Sequence, residues 1–338
     1  RLRIAMQLVK VYPDSQKEAE DAVRDGVLTN SDSDVVLKSG LMLFRIEDLW
    51  NDTRANANII SILQGYSDPR LERWFATNNA DIYSTDDELS PVVEKATKYL
   101  GVRQGVPMTR TEYQGYSKTS RVGIPEQGPR PVLRVAEAYF LRAEGMLRNW
   151  NMGDGTPESL YNEGIHSAWA SVLGDESGWA GTYESYINGF INTEEGGDFD
   201  WELFEGGFGS APYINYRNQE YNYYIEENGK QVGINRISVR WHDEDSPEKK
   251  LQRIITQKWI SFFPTLSSVA WTEYRRTGYP KLIPIPSDLN YSNGAIDTEL
   301  QIRRLPFTQS EYRGNTEEVN KALGLLKGPD NGGTRLWW

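Results

Sequence analysis

Apolar residues return at helical spacing in three places along the chain, each time as two segments separated by a tight break. In LRIAMQLVKVY, Leu2, Ala5, Leu8, Val9 and Tyr12 fall on one helical face. Pro13 and Asp14 interrupt it, and Asp14 is placed to cap a second helix whose face is Ala19, Ala22 and Val23. The second instance spans Pro131 to Gly174. Pro131 stands where the first helical residue is expected, and Val132, Val135, Ala136, Phe140, Ala143 and Leu147 form one stripe. After the turn NMGDGT, Thr156 and Pro157 open a helix carrying Leu160, Ala168, Trp169 and Val172. The small residues Ala136, Ala143 and Gly164 would let the two helices approach closely. The third instance starts with Ser246 as N-cap and Pro247 at the first helical position, and runs through Leu251, Ile254, Ile255, Trp259 and Phe262. Pro264 stops it, and Val269, Ala270 and Tyr274 carry its partner to Gly278 and Pro280. Such short breaks predict antiparallel hairpins. The fold expected is therefore mainly α, built of tetratricopeptide-like helix pairs, without a strict repeat of about 34 residues.

Between the pairs the pattern is irregular. Residues 27–130 are rich in turn formers, with short helices predicted near Ile59–Leu63 and Asp87–Leu100. Residues 175–245 read as a long loop insertion, dense in Gly and aromatics, whose tail VGINRISVRW alternates at Ile234, Ile237 and Val239 and predicts a minor β contribution. Loops of this length are functional or disordered. The aromatics argue against disorder, because they supply the burial that disordered chains lack.

Composition narrows the chemistry. The 338 residues carry 37 Lys and Arg against 48 Asp and Glu, a net charge of −11, which opposes binding to the phosphate backbone of nucleic acid. With no cysteine, the chain has no disulfide framework, thiolate metal site or Cys nucleophile. Its two histidines, His166 and His242, are too far apart in sequence to form a His-rich metal site, and no metal is expected. His166 reads as a half-buried structural residue. No GxGxxG, P-loop or GxSxG motif appears, so neither a cofactor nor a serine nucleophile is indicated. No apolar run reaches about 18 residues. The acidic run Asp198, Asp200, Glu202 and Glu205 supplies carboxylates of the kind glycosidases pair. A run of this kind is ordinarily solvated loop surface, and the chain is not expected to be an enzyme.

The aromatics suggest a different activity. Among 40 Phe, Trp and Tyr residues, Trp outnumbers Phe by 11 to 10. Sugar rings stack their apolar faces on Trp and Tyr, while their hydroxyls need Asn, Asp, Arg or Gln nearby. Tyr66, Asp68, Arg70, Arg73, Trp74, Asn78, Asn79 and Tyr83 supply that mixture in one stretch, and Tyr113, Tyr116, Trp179, Tyr183 and Tyr186 form a second cluster. The expected ligand-binding set is Tyr66, Arg73, Trp74, Asn78, Tyr83, Tyr113, Tyr116 and Trp179. The competing reading is that these rings pack the loops onto the scaffold. For Arg275 and Arg276, the expectation is helix-end capping and pairing with Glu273 or a neighbouring helix.

Several blocks carry a family likeness. ITQKW (Ile255–Trp259), AWTEYRRTGYP (Ala270–Pro280), IRRLPF followed by Glu311 and Asn315, and the closing RLWW resemble C-terminal signatures of the SusD/RagB family. AEAYFLRAEGMLR, LYNEGI, DPRL (Asp68–Leu71) and the opening LRIAMQLVKVYP match as well, so the resemblance covers nearly the whole chain. It implies one SusD-like helical domain over residues 1–338, incomplete at its N-terminus, with tetratricopeptide-like pairs supporting a loop-built binding face. It further implies a surface-exposed lipoprotein of the outer membrane of Bacteroidota, held by an N-terminal lipid anchor upstream of Arg1. Such a subunit captures oligosaccharides, or in a RagB-like branch peptides, for a SusC-like TonB-dependent transporter. The alternative of another class is a helical-repeat scaffold that binds the transporter and no small ligand. The QKW and RRTGYP signatures read as structural and are not carried over as ligand residues.

Overall fold

The computed structural model of the protein describes residues 1–37, 53–66, 68–77, 99, 101–105, 116–118, 130–173, 183, 186–187, 225–227, 230–232, 234–235, 237–285 and 287–336. Three helix hairpins organise them. Helix α1 (Leu2–Gln7) packs on α2 (Ser15–Asp25), α5 (Val135–Leu147) on α6 (Pro157–Leu173), and α7 (Pro247–Ser261) on α8 (Ser267–Thr277). The predicted pairs are thus present. Between the first two pairs lie the short helices α3 (Ala57–Gly65) and α4 (Arg70–Trp74), and α9 (Gln309–Gly314) and α10 (Thr316–Leu323) follow the third. Strands β1 (Val35–Leu37) and β2 (Arg130–Leu133) form one antiparallel ribbon, and β3 (Ile225–Glu227) and β4 (Lys230–Val232) form another. The predicted Asp87–Leu100 helix falls almost wholly outside the described residues, as does most of the 175–245 segment.

Helix α5 is the centre of the arrangement. Every residue from Val135 to Leu141 is buried, and the helix contacts α1, α6 and α7. Gly164 explains how closely α6 can approach: a Cβ there would lie 2.8 Å from the Phe140 ring. Phe140 itself is fully buried, and burying a side chain of this size contributes roughly 1.5–3 kcal/mol. The α6 N-terminus is fixed by a reciprocal pair, Thr156 N–H to Ser159 Oγ at 2.8 Å and Ser159 N–H to Thr156 Oγ1 at 3.1 Å. At α7, Ser246 Oγ accepts from the Lys249 amide and Pro247 occupies the first helical position, as its sequence predicts.

Two boundaries differ from expectation. Pro131 lies in β2, not in a helix, and α5 begins only at Val135. A two-stranded ribbon consists of edges, where a residue lacking an N–H is tolerated, and Val132 is exposed on the strand. The first helix ends at Gln7 and continues as turns towards Pro13.

The strand expected around Ile237 and Val239 is also absent. Ile237, Ser238 and Val239 are buried, but among the described residues they pair with no strand. Its three successive carbonyls are satisfied by side chains instead: Tyr66 Oη donates to Ile237 O at 2.7 Å, Arg253 Nε to Ser238 O at 3.1 Å, and Tyr161 Oη to Val239 O at 2.6 Å. Buried carbonyls must be paired, and here helices supply the donors that a neighbouring strand would otherwise contribute.

The centre of the molecule also holds buried charges. Arg276 of α8 donates to both oxygens of Glu144 on α5, at 2.6 and 2.7 Å, and to Glu273 at 2.6 Å. Lys258 of α7 stands 3.4 Å from Glu273, and Arg148 donates to Glu144 at 2.9 Å. Arg3 of α1 pairs with Glu137 one heptad before Glu144 on α5. Burial works against the Glu144 carboxylate, but Arg276 and Arg148 outweigh it and hold the carboxyl down to about 2. The QKW and RRTGYP blocks therefore encode an ionic joint between three helices. Arg276 pairs with Glu273 and with a neighbouring helix, as its position predicted.

Candidate functional site

The expected ligand residues separate into three groups. Tyr66 and Trp74, 1% and 2% exposed, belong to the main core and present no surface to a sugar. Tyr66 caps the C-terminal end of α3, its ring edge-on to Tyr186 at 6.2 Å and its hydroxyl committed to Ile237. Trp74 closes α4 and packs on Phe263 at 4.9 Å. The polar neighbours proposed for the same sugar site are buried with them. Asp68 accepts from the Arg70 Nε at 2.9 Å, and the guanidinium is surrounded by the rings of Trp74, Tyr186 and Trp169 at 5.5, 5.8 and 6.0 Å. Of the sequence mixture read as a sugar rim, Asp68, Arg70 and Trp74 form an internal cation–aromatic knot, stabilised by the low dielectric around it.

Arg73 and Tyr116 are half-buried. Arg73 stands in the last turn of α4, while Tyr116 precedes a short stretch in which Ser117 O accepts from the Ala55 amide and Lys118 O from the Ala76 amide, at 2.8 and 2.9 Å. Asn78, Tyr83, Tyr113 and Trp179 lie outside the described residues, as do Asp198, Asp200, Glu202 and Glu205. His166 is exposed, not half-buried, with its ring edge-on to Tyr183 at 5.2 Å. Among the described residues, no three His, Asp or Glu side chains converge as a metal site would require, and no helix is long and apolar enough to cross a membrane.

A cleft of about 440 Å³ opens beside the third helix pair, a size typical of small-molecule sites. Its aromatic wall is Phe75, Trp259, Phe262, Phe263, Trp271 and Tyr274, and its polar groups include Arg54, Asn56, Asn58, Gln104, Ser267 and Gln301. Local structure places each. Asn56 is the N-cap of α3, its side chain accepting from the Asn58 amide at 2.8 Å, and the Asn58 side chain accepts from the Ile283 amide at 2.6 Å. Residues 101–105 can run alongside only because Gly101 has no side chain: a Cβ there would meet the Ala57 backbone at 2.6 Å. The Asp297 carboxylate accepts from the Glu299 and Leu300 amides, turning the chain so that Gln301 reaches the cleft with φ of 55°. A non-glycine residue in that region is uncommon and marks a position held by its surroundings.

Trp271 is the most open ring of the wall, 37% exposed. Its indole N–H donates to Ile302 O at 3.3 Å, and the Arg275 guanidinium stands 3.8 Å from the ring centroid. Arg275 donates in turn to Arg303 O at 3.1 Å. The ring is thus held in place before any ligand arrives. Burial pushes the Tyr274 phenol up, so it keeps its proton and donates to Glu299 O at 2.7 Å. Of the cleft residues, Trp259, Phe262, Ala270 and Tyr274 read in the sequence only as core stripes. The available signal was Trp271, which stands off the Ala270–Tyr274 stripe with Arg275 one helical turn later.

A family model described as SusD-like, "Susd and RagB outer membrane lipoprotein", matches residues 1–185 and 208–338. Among solved structures, a chitin-binding SusD homologue from Flavobacterium johnsoniae is 37% identical with a TM-score of 0.76, covering 100% of this chain and 61% of its own. A SusD-like protein from Bacteroides thetaiotaomicron is 30% identical with a TM-score of 0.76, again over 100% of this chain and 62% of its own. A SusD homologue from Bacteroides uniformis is 29% identical with a TM-score of 0.77, covering 100% and 62%. The chain therefore spans about three-fifths of the length of these relatives. No curated protein matches it. With the helix pairs, the ionic joint built from the signature residues and a family match over nearly all of its length, the chain belongs to the SusD-like family.

Proposed function

We propose that this chain forms the greater part of a cell-surface oligosaccharide-binding protein of the outer membrane. In this reading it is lipid-anchored, captures glycan without cleaving it, and passes it to a SusC-like TonB-dependent transporter. The observation that carries the reading is the cleft wall: rings offering apolar faces, with amides and a guanidinium among them, are the groups that sugar C–H faces and hydroxyls require. Family membership supports the surface location, since the family is described as one of outer membrane lipoproteins. The 37% identical relative is described as chitin-binding, which makes chitin fragments the first glycans to try.

Titration calorimetry on the 338-residue chain with a panel of oligosaccharides tests the reading. Binding with a Kd between about a micromolar and a millimolar is expected, corresponding to about −8 to −4 kcal/mol. Silence across the glycan panel, with a heat signal from a mixture of peptides, would replace the sugar by a peptide ligand.

A further inference from the structure

Four Asn-Gly pairs occur along the chain, and such a pair carries a reaction of its own. Glycine has no side chain to shield its amide nitrogen, so that nitrogen can reach the carboxamide of the asparagine before it. Asn188–Gly189 and Asn228–Gly229 lie outside the described residues. Asn293–Gly294 and Asn331–Gly332 lie within them, and the fold treats these two differently. Asn293 and Gly294 form the tip of a tight turn. Both are exposed, with φ of 52° and 81°, and the Ala295 amide closes the turn by donating to Ser292 O at 3.0 Å. Among the described residues, nothing lies within 4 Å of the place a Cβ would take on Gly294. Exposed loop tips of this kind open locally at the lowest cost in a fold.

Asn331 is held fast. Its Oδ1 accepts from the Gly333 amide at 3.0 Å, the Thr334 amide at 3.1 Å and the Thr334 hydroxyl at 3.3 Å. Gly332 O accepts from the Arg303 amide at 2.7 Å, and a Cβ on Gly332 would stand 3.0 Å from the Ile296 side chain. A Cβ on Gly333 would collide with Ala295 O. The carboxamide is therefore fixed by its hydrogen bonds, and the backbone beside it is closely packed.

We propose that Asn293 is a site of spontaneous deamidation in the folded protein, and that Asn331 is protected from the same reaction. The Gly294 amide nitrogen attacks Asn293 Cγ and forms the N–Cγ bond of a cyclic succinimide. The Cγ–Nδ2 bond breaks, and Nδ2 leaves as ammonia with the proton given up by the Gly294 amide. Water then opens the ring at one carbonyl or the other, leaving aspartate or isoaspartate. Either product carries a carboxylate where the carboxamide was neutral. Isoaspartate also adds a methylene to the backbone, so the bond from the Ala295 amide to Ser292 O should be lost. That turn leads into a clasp on Ile296, whose carbonyl accepts from Asn290 Nδ2 at 2.7 Å and whose amide donates to Ser292 Oγ at 3.0 Å.

The test keeps the 338-residue chain at mildly alkaline pH, folded in one arm and unfolded in guanidinium chloride in the other. Samples taken at intervals are digested with trypsin. Asn293 and Asn331 fall in separate peptides, bounded by Lys281 and Arg303 and by Lys327 and Arg335. Mass spectrometry follows the small mass gain that marks deamidation in each. In the folded chain the Asn293 peptide is expected to convert at least about tenfold faster, since freeing Asn331 first breaks several hydrogen bonds. In the unfolded chain the two should convert at similar rates, because the fold alone separates them. Asn293→Gly should abolish the modification there while keeping the turn, as glycine accepts the same backbone conformation. Conversion of Asn331 as fast as Asn293 in the folded chain would overturn the protection. A folded Asn293 that stays intact while its unfolded counterpart converts would overturn the site itself.

Discussion

Trp74 and Trp271 show how little residue type says about role. Both are tryptophans near arginines, yet one is 2% exposed and the other 37%. Trp74 packs on Phe263 and beside the buried Arg70, so removing its ring would leave a cavity and expose a charge to weakened packing. Trp74→Ala is expected to destabilise the chain by about 3–5 kcal/mol, measured by urea unfolding. An unchanged unfolding midpoint with lost ligand affinity would instead return Trp74 to the binding surface. The difference between the two residues is not visible in local sequence, because both stand on short stretches of mixed aromatic and polar character. It arises from partners far along the chain: Trp74 meets Phe263, and Trp271 is held by Ile302.

At the scale of elements, the sequence was most legible where one residue has one physical reason to be present. Ser246 and Pro247 mark the start of α7, and Gly164 marks the close crossing of α5 and α6. Placing a methyl at Gly164 would push it to within 3 Å of Phe140. Gly164→Ala is therefore expected to cost about 1–3 kcal/mol through overpacking, and Phe140→Leu in the same chain should recover part of the loss. Strict additivity of the two changes in a double-mutant cycle would count against a direct clash. Legibility failed where one residue has two uses. Proline suits both a helix start and a ribbon edge, and Pro131 takes the second. The apolar alternation at Ile237 and Val239 predicted a strand, since burial on alternate positions is what a strand shows. Here Ile237, Ser238 and Val239 are all buried, and their carbonyls are met by side chains, so the apolar alternation did not mark a strand. The cleft was hidden for a related reason: Trp259, Phe262, Ala270 and Tyr274, which line it, are themselves part of the periodic signal and read as core.

For the molecule as a whole, the ionic joint makes stability depend on acid. The Glu144 carboxyl is held down to about 2, against an ordinary value of about 4.3 in an unfolded chain. A depressed carboxyl stabilises the fold above its unfolded pKa and loses that contribution as pH falls through the folded one. Stability should therefore drop between about pH 4.5 and pH 2. Glu144→Gln should be less stable at neutral pH by about 3–5 kcal/mol, since it leaves Arg276 and Arg148 poorly paired. It should also show a shallower fall across the acid window, read from urea unfolding at a series of pH values. Equal slopes for the two proteins would mean that another carboxylate governs acid unfolding. The same long-range logic applies to the buried segment at residues 237–239. Its three carbonyls are met by partners separated by 15, 78 and 171 residues along the chain. Closing the longest of these loops costs roughly 2 kcal/mol more chain entropy than closing the shortest. The bond from Tyr66 is thus the one that depends most on the rest of the fold being assembled: Arg253 can seat the segment locally, and Tyr66 locks it once distant helices have met.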